Sequence, residues 1–139
     1  MTFKEGQPIY AQIADRLSDE ILNGTYAPDS RVPGVREYAA LLEVNVNTAV
    51  KAYELLARRE VIYQKRGMGY FVAADAPEII RTERRSYFCE HAMPQFFAQM
   101  KLLGISVDEM TEAYRRFMES HPNALAVAAV WAATLTAGL

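Results

Sequence analysis

The sequence predicts a mainly α-helical protein with one small β-hairpin, and three observations predict it. Apolar residues recur at helical spacing through most of the chain. A run of strand-forming residues, "VIYQKRGMGYFV" at 61–72, interrupts that pattern and holds two glycines near its centre. Just before it, two helical runs are separated only by Glu43 and Val44, the spacing of a helix-turn-helix. A helix, a helix-turn-helix and a hairpin, in that order, make a winged helix-turn-helix domain, and further helices follow it.

Pro8 to Asn23 reads as the first helix. Pro8 suits a first helical turn, Ile9, Ile13, Leu17 and Ile21 recur every four residues, and Gly24 stops the run. "TYAPDSRVP" (25–33) is an irregular link with two prolines. Val35 to Leu42 is a short second helix whose apolar face is Val35, Tyr38, Ala39 and Leu42. The third, Asn45 to Arg59, turns Ala49, Tyr53 and Leu56 inward and opens on an unusually polar turn, "NVNT". Asn45 or Asn47 supplies its cap, since a helix start leaves backbone N–H groups without partners, and the remaining polar residues are free to face outward. Val61–Tyr63 and Tyr70–Val72 are strand formers flanking "QKRGMG", where Gly67 and Gly69 permit a tight turn. Residues 1–76 are thereby expected to form one winged helix-turn-helix domain.

Asp75 and Pro77 mark the next helix start, with Ile79, Ile80, Tyr87 and Phe88 as apolar surface. Met93–Pro94 is expected to break that helix and begin another, which ends at Gly104. Ser106 and Glu109 have capping-box spacing, and the stripe behind them runs on to Pro122. Phe96, Phe97, Met100, Leu103, Met110, Tyr114, Phe117 and Met118 are too apolar a set for so small an appendage to bury alone. Residues 77–121 are therefore expected to be a short helical dimerisation region. The remainder, 122–139, is an apolar tail. Its segment "ALAVAAVWAATLTAGL" (124–139) is uncharged, too short and too alanine-rich for a membrane span, and suggests no role of its own.

Composition narrows the function. The chain has 139 residues, of which 51% are hydrophobic, enough for a real core. A formal charge of −2 excludes a bulk polycation, so any nucleic-acid site must be a local patch. The single cysteine, Cys89, excludes an internal disulfide and suits a reducing cytoplasm, the expected location in the absence of a basic-then-apolar leader. Enzyme chemistry finds no footing: His91 and His121 are isolated, and no nucleophile–base arrangement or phosphate-cradling loop is visible. "CEH" (89–91) lacks the further ligands that a metal needs. No cofactor, metal or membrane partner is expected.

Three stretches in order, "PIYAQIADRL" (8–17), "RVPGVREYAALLEVNVNTAVKAYELL" (31–56) and "QKRGMGYFV" (64–72), resemble the DNA-binding signature of the GntR family of bacterial transcription regulators. The "NxNT…AY" helix and the short helical remainder look like the YtrA-type subfamily, whose members lack a large effector-binding domain. The resemblance implies a homodimer that binds a double-stranded DNA operator, and it makes no large effector domain expected here. Arg31, Arg36, Thr48, Lys65 and Arg66 match family residues. Three positions depart from the pattern. The family usually has Pro-Gly at Pro28–Asp29, Pro-Ser at Pro33–Gly34 and Gly at Glu60, where a left-handed helix end costs Glu roughly 1 kcal/mol.

The resemblance implies that the Arg36 guanidinium meets phosphate or a guanine edge, where it would otherwise be a solvated charge. Asn45, Asn47 and Thr48 divide between capping and contact with phosphate or base edges. Val46 and Val50 either fill the domain's edge or meet thymine methyls. Lys51 is a candidate phosphate ligand, and Lys65, Arg66 and Gly67 form the wing tip that approaches the backbone or minor groove. Arg58 and Arg59 answer the helix dipole, and Arg81, Arg84 and Arg85 read as a solvated helix face. The expected function is sequence-specific repression from an inverted-repeat operator. The alternative is a winged helix used as a protein-interaction module, its DNA binding lost.

Overall fold

Residues 5–123 are described in the computed structural model of the chain, and the apolar tail expected at 124–139 lies outside them. In the helix α1 (Ile9–Leu22), the four-residue recurrence buries Ile13, Leu17 and Ile21. Pro8 stands just before the helix as its N-cap, and its carbonyl accepts from Ala11 and Gln12 N–H. α2 (Val35–Leu42) has the bounds that its apolar face predicts, and α3 (Val46–Arg58) is framed by Asn45 and Arg59.

Four helices close in the same way. After α1, Gly24 N–H bonds back to Ile21 and Thr25 N–H to Glu20, with Gly24 left-handed. The same pair of reversed bonds ends α2 at Glu43, α3 at Glu60 and α5 (Met93–Leu103) at Gly104, each with positive φ. This closure supplies carbonyls that a helix end would otherwise leave bare. Glycine enters it without strain. Glu43 and Glu60 do so against the steric preference of any residue with a Cβ.

β1 (Ile62–Lys65) and β2 (Gly69–Val72) pair antiparallel, Ile62 opposite Val72 and Lys65 opposite Gly69. Gln64 and Lys65 thus belong to the strand, and the loop is Arg66–Gly67–Met68. Arg31 bridges to Phe71 on the outer side of β2, and Val32 N–H donates to Tyr70 at 3.0 Å. The link before α2 is thereby fastened along the hairpin.

The chain forms two units divided between Phe88 and Cys89. α4 (Ala76–Tyr87) belongs to the first, beyond the boundary expected at Ala76, because Ala76 and Ile80 complete its core. That core joins Ile13 and Leu17 of α1, Tyr38 and Leu42 of α2, Tyr53 and Leu56 of α3, and Ile62 and Val72 of the hairpin. Met93–Pro94 does not break the helical backbone as expected. Phe88–Ala92 is π-helical and Ala92 remains in the right-handed region on entering α5. Pro94 has no N–H for the carbonyl four residues back, and the wider turn absorbs that mismatch.

The second unit holds α5 and α6 (Val107–Ser120). Ser106 Oγ accepts from Glu109 N–H at 3.1 Å, the backbone half of the expected capping box.

Candidate nucleic-acid interface

Three elements meet around residues 31–34. Arg31 Nε donates to the Met68 carbonyl at 3.0 Å, which ties the link to the wing tip. A Cβ on Gly69, itself left-handed, would stand 3.2 Å from the same Nε, so this clasp needs glycine there. Tyr53 of α3 donates its hydroxyl to the Pro33 carbonyl at 2.6 Å, and its ring meets Tyr70 of the wing edge-on at 5.3 Å. Tyr38 of α2 donates to the Glu20 carboxylate on α1. Burial pushes both phenols far up from their ordinary range, and Glu20 adds to the effect on Tyr38 through its hydrogen bond. The Tyr53 hydroxyl ties the approach to α2 to α3, and the Tyr38 hydroxyl ties α2 to α1. Sequence reasoning took both tyrosines as apolar. The available signal was that a buried Tyr must find its hydroxyl a partner.

Arg36 lies in the first turn of α2, exposed, with neither a hydrogen bond nor an ion pair among the described residues. On α3, Asn45 is the cap: its Oδ1 accepts from Asn47 N–H at 2.8 Å. Among the described residues, no hydrogen bond takes up its amide N–H donors or the Asn47 side chain. Asn47 and Lys51 are exposed, while Val46, Thr48 and Val50 are half-buried.

On the wing, Lys65 folds back so that its ammonium lies 4.3 Å from the Phe71 ring centre. Phe71 stacks on Tyr63 at 6.0 Å. Arg66 is therefore the freer cation at the tip, next to left-handed Gly67. Met68, which sequence reasoning passed over, is 58% exposed beside it.

Charge pairing divides the cations. Arg16, Arg59, Arg84, Arg115 and Arg116 each have a carboxylate within ion-pair range. Arg84, read from sequence as a solvated charge, bridges α4 to Asp19 of α1 at 2.5 Å. Among the described residues Arg36, Lys51 and Arg66 have no such partner, and neither do Arg58, Arg81, Arg85 and Lys101. Arg36, Lys51 and Arg66 are the ones carried by α2, the first half of α3 and the wing tip.

In the second unit, Phe96, Phe97, Leu103, Tyr114 and Met118 are exposed, joined by Leu102 at 84%. Met110 and Phe117 are half-buried, and Met100 is buried, so Met100 offers little surface to a partner. Among the described residues, no group of His, Cys, Asp or Glu is placed to hold a metal ion, and no helix is long and apolar enough to cross a membrane.

The family described as "Bacterial regulatory proteins, gntR family" matches residues 9–72, from α1 through the wing. The uncharacterized HTH-type transcriptional regulator YhcF of Bacillus subtilis is 34% identical over 84% of this chain and 95% of its own length. The HTH-type transcriptional repressor YtrA of the same organism is 28% identical over 78% of this chain and 83% of its own. Among solved structures, a GntR-family protein from Bacteroides thetaiotaomicron superposes with a TM-score of 0.71 at 45% identity, over 81% of this chain and 97% of that one.

Proposed function

Because the chain belongs to the gntR family of bacterial regulatory proteins and is a DNA-binding transcriptional regulator of that type, we propose that it acts as a homodimeric repressor on an inverted-repeat operator. The observation that carries this reading is the placing of three uncommitted cations on elements that meet. Arg36 at the start of α2, Lys51 on α3 and Arg66 on the wing have no partner among the described residues, and their elements converge on residues 31–34. Each suits a phosphate oxygen, and Arg36 also suits a guanine edge.

Contacts are assigned accordingly. Asn47 and Thr48 face the duplex from the first turn of α3. Asn45 adds its amide donors from the cap, Gly67 lets the wing tip approach closely, and Arg31 serves mainly by holding that tip in place. Lys65 must leave the Phe71 face to reach phosphate, so its contribution is smaller than that of Arg66. Repression is supported by similarity to YtrA, which is described as a repressor. Dimerisation is supported by the exposed apolar side chains of α5 and α6, which a second copy related by a two-fold axis would cover. Two copies present two recognition helices, hence half-sites about one helical turn apart or a multiple of it. The protein then works where the chromosome is, in the cytoplasm.

The test is binding of the full-length protein to the DNA upstream of its own gene, followed by fluorescence anisotropy as salt is raised. Affinity should fall steeply with salt because several phosphates are neutralised per dimer. Arg36→Ala should abolish specific binding while leaving thermal stability unchanged. Weak, sequence-blind binding to every duplex would overturn the reading.

A further inference from the structure

The first two turns of α3 carry an apolar pair that lies outside the main core cluster. Successive residues are roughly 100° apart around a helix. With Ala49, Ala52, Tyr53 and Leu56 buried, Val46 and Val50 share one flank, Asn47 and Lys51 face outward, and Thr48 lies on the other flank. Val44, Leu55 and Ala57 are partly buried and pack against the core; Val46 and Val50 are also partly buried yet are not among the residues packed against it. Both valines thus sit outside the main core cluster and keep part of their surface open. Beside them the Asn47 side chain makes no hydrogen bond among the described residues, since Asn45 alone supplies the cap.

We propose, resting on the DNA-binding reading of α3, that Val46 and Val50 read thymine methyl groups in the major groove, and that Asn47 reads an adenine beside them. The half-site under α3 is accordingly A·T-rich. The thymine methyl is the one apolar group on the major-groove edge of the four natural bases. A valine set against a purine N7 or a cytosine amino group strips water from a polar atom and gives nothing back. Side chains one helical turn apart have Cβ atoms about 5–6 Å from each other. That spacing lets the two valines serve neighbouring base pairs. Asparagine completes the set, because its amide matches the adenine N6 and N7 pair in two hydrogen bonds. Lys51, the cation on this stretch, is a flexible point charge suited to phosphate more than to bidentate reading of guanine.

The experiment begins by selecting the preferred operator from a random duplex pool with the full-length protein. Its affinity is then compared for that duplex and for one in which deoxyuridine replaces the thymines of the half-site. Loss of each contacted methyl should weaken wild-type binding about fourfold. The doubly substituted Val46→Ala, Val50→Ala protein should bind the two duplexes equally. Equal wild-type affinity for the thymine and uracil duplexes overturns the proposal, and because that comparison leaves the protein intact, no folding defect can excuse it. A selected half-site rich in G·C also overturns it while leaving the regulator reading in place. A pool that yields no preferred sequence would sink the regulator reading itself.

Discussion

In the first unit Leu17, Tyr38, Tyr53 and Leu56 are all but sealed from solvent, whereas in the second Leu102, Leu103, Val107 and Tyr114 stand well exposed. Both sets lie on amphipathic helices, and α5 closes with the same left-handed turn as α1, α2 and α3. The difference lies in what surrounds them. α1, α2, α3, α4 and the hairpin close around a common core, while α5 and α6 leave most of their apolar side chains outside. An amphipathic stripe announces that a helix has a face to bury. It does not announce whether the cover comes from the same chain.

The most damaging change should fall in the sealed unit. Leu17→Ala should cost about 3 kcal/mol, the usual range for a buried leucine that leaves a cavity, and lower the urea midpoint sharply. Leu102→Ala should change stability by less than about 0.5 kcal/mol and barely move the midpoint. Equal losses at the two sites would erase the contrast.

Next in size is a change at the exposed faces. Phe96→Glu combined with Leu103→Glu should turn a sedimenting dimer into a monomer at micromolar concentration and weaken operator binding at least a hundredfold. The circular dichroism of the winged unit should be unchanged. A dimer that survives both charges would mean that these faces meet something else.

A smaller effect sharpens the account of the core. The folded-state pKa values of Tyr38 and Tyr53 are raised, so their neutral hydroxyls stabilise the fold fully below the unfolded value of about 10. Above it the unfolded chain ionises while the native one resists, and stability falls by up to about 1.4 kcal/mol per pH unit for each group. The urea midpoint should therefore drop between pH 9 and pH 11. Tyr53→Phe should flatten that drop even though it costs about 1 kcal/mol at neutral pH by stranding the Pro33 carbonyl.

The smallest expected effect is a gain. Glu60→Gly relieves a left-handed backbone at an exposed helix end and should add up to about 1 kcal/mol, read as a rise of a few degrees in Tm.

These cases show what the sequence could and could not reveal. The order of helices, the helix-turn-helix spacing and the hairpin were legible because periodicity and turn residues report backbone geometry directly. Helix ends at Gly24 and Gly104 were legible for the same reason. The equivalent ends at Glu43 and Glu60 hide behind a residue that avoids that conformation, and Glu60 drew notice only because relatives usually place Gly there. Pro94 looked like a break because a proline rule assumes a regular α-helix, and a π-helical turn escapes it. At the site, Asn45 and Asn47 were interchangeable as caps until one amide oxygen was seen bonded. The clasp of Arg31 on Met68 joins residues far apart in the chain, so no local pattern could signal it.

The division between paired and unpaired cations also bears on how quickly the protein finds its target. Arginines such as Arg16 and Arg84 are cancelled at short range by their own carboxylates, while Arg36, Lys51 and Arg66 are not. A chain with a formal charge of −2 has little overall attraction to DNA, so orientations that present uncancelled cations such as these are favoured. Misaligned collisions should then separate quickly, sparing the molecule long residence on the wrong stretches of the chromosome. Neutralising surface carboxylates would add attraction without alignment, and would be felt first as longer residence on the wrong sites.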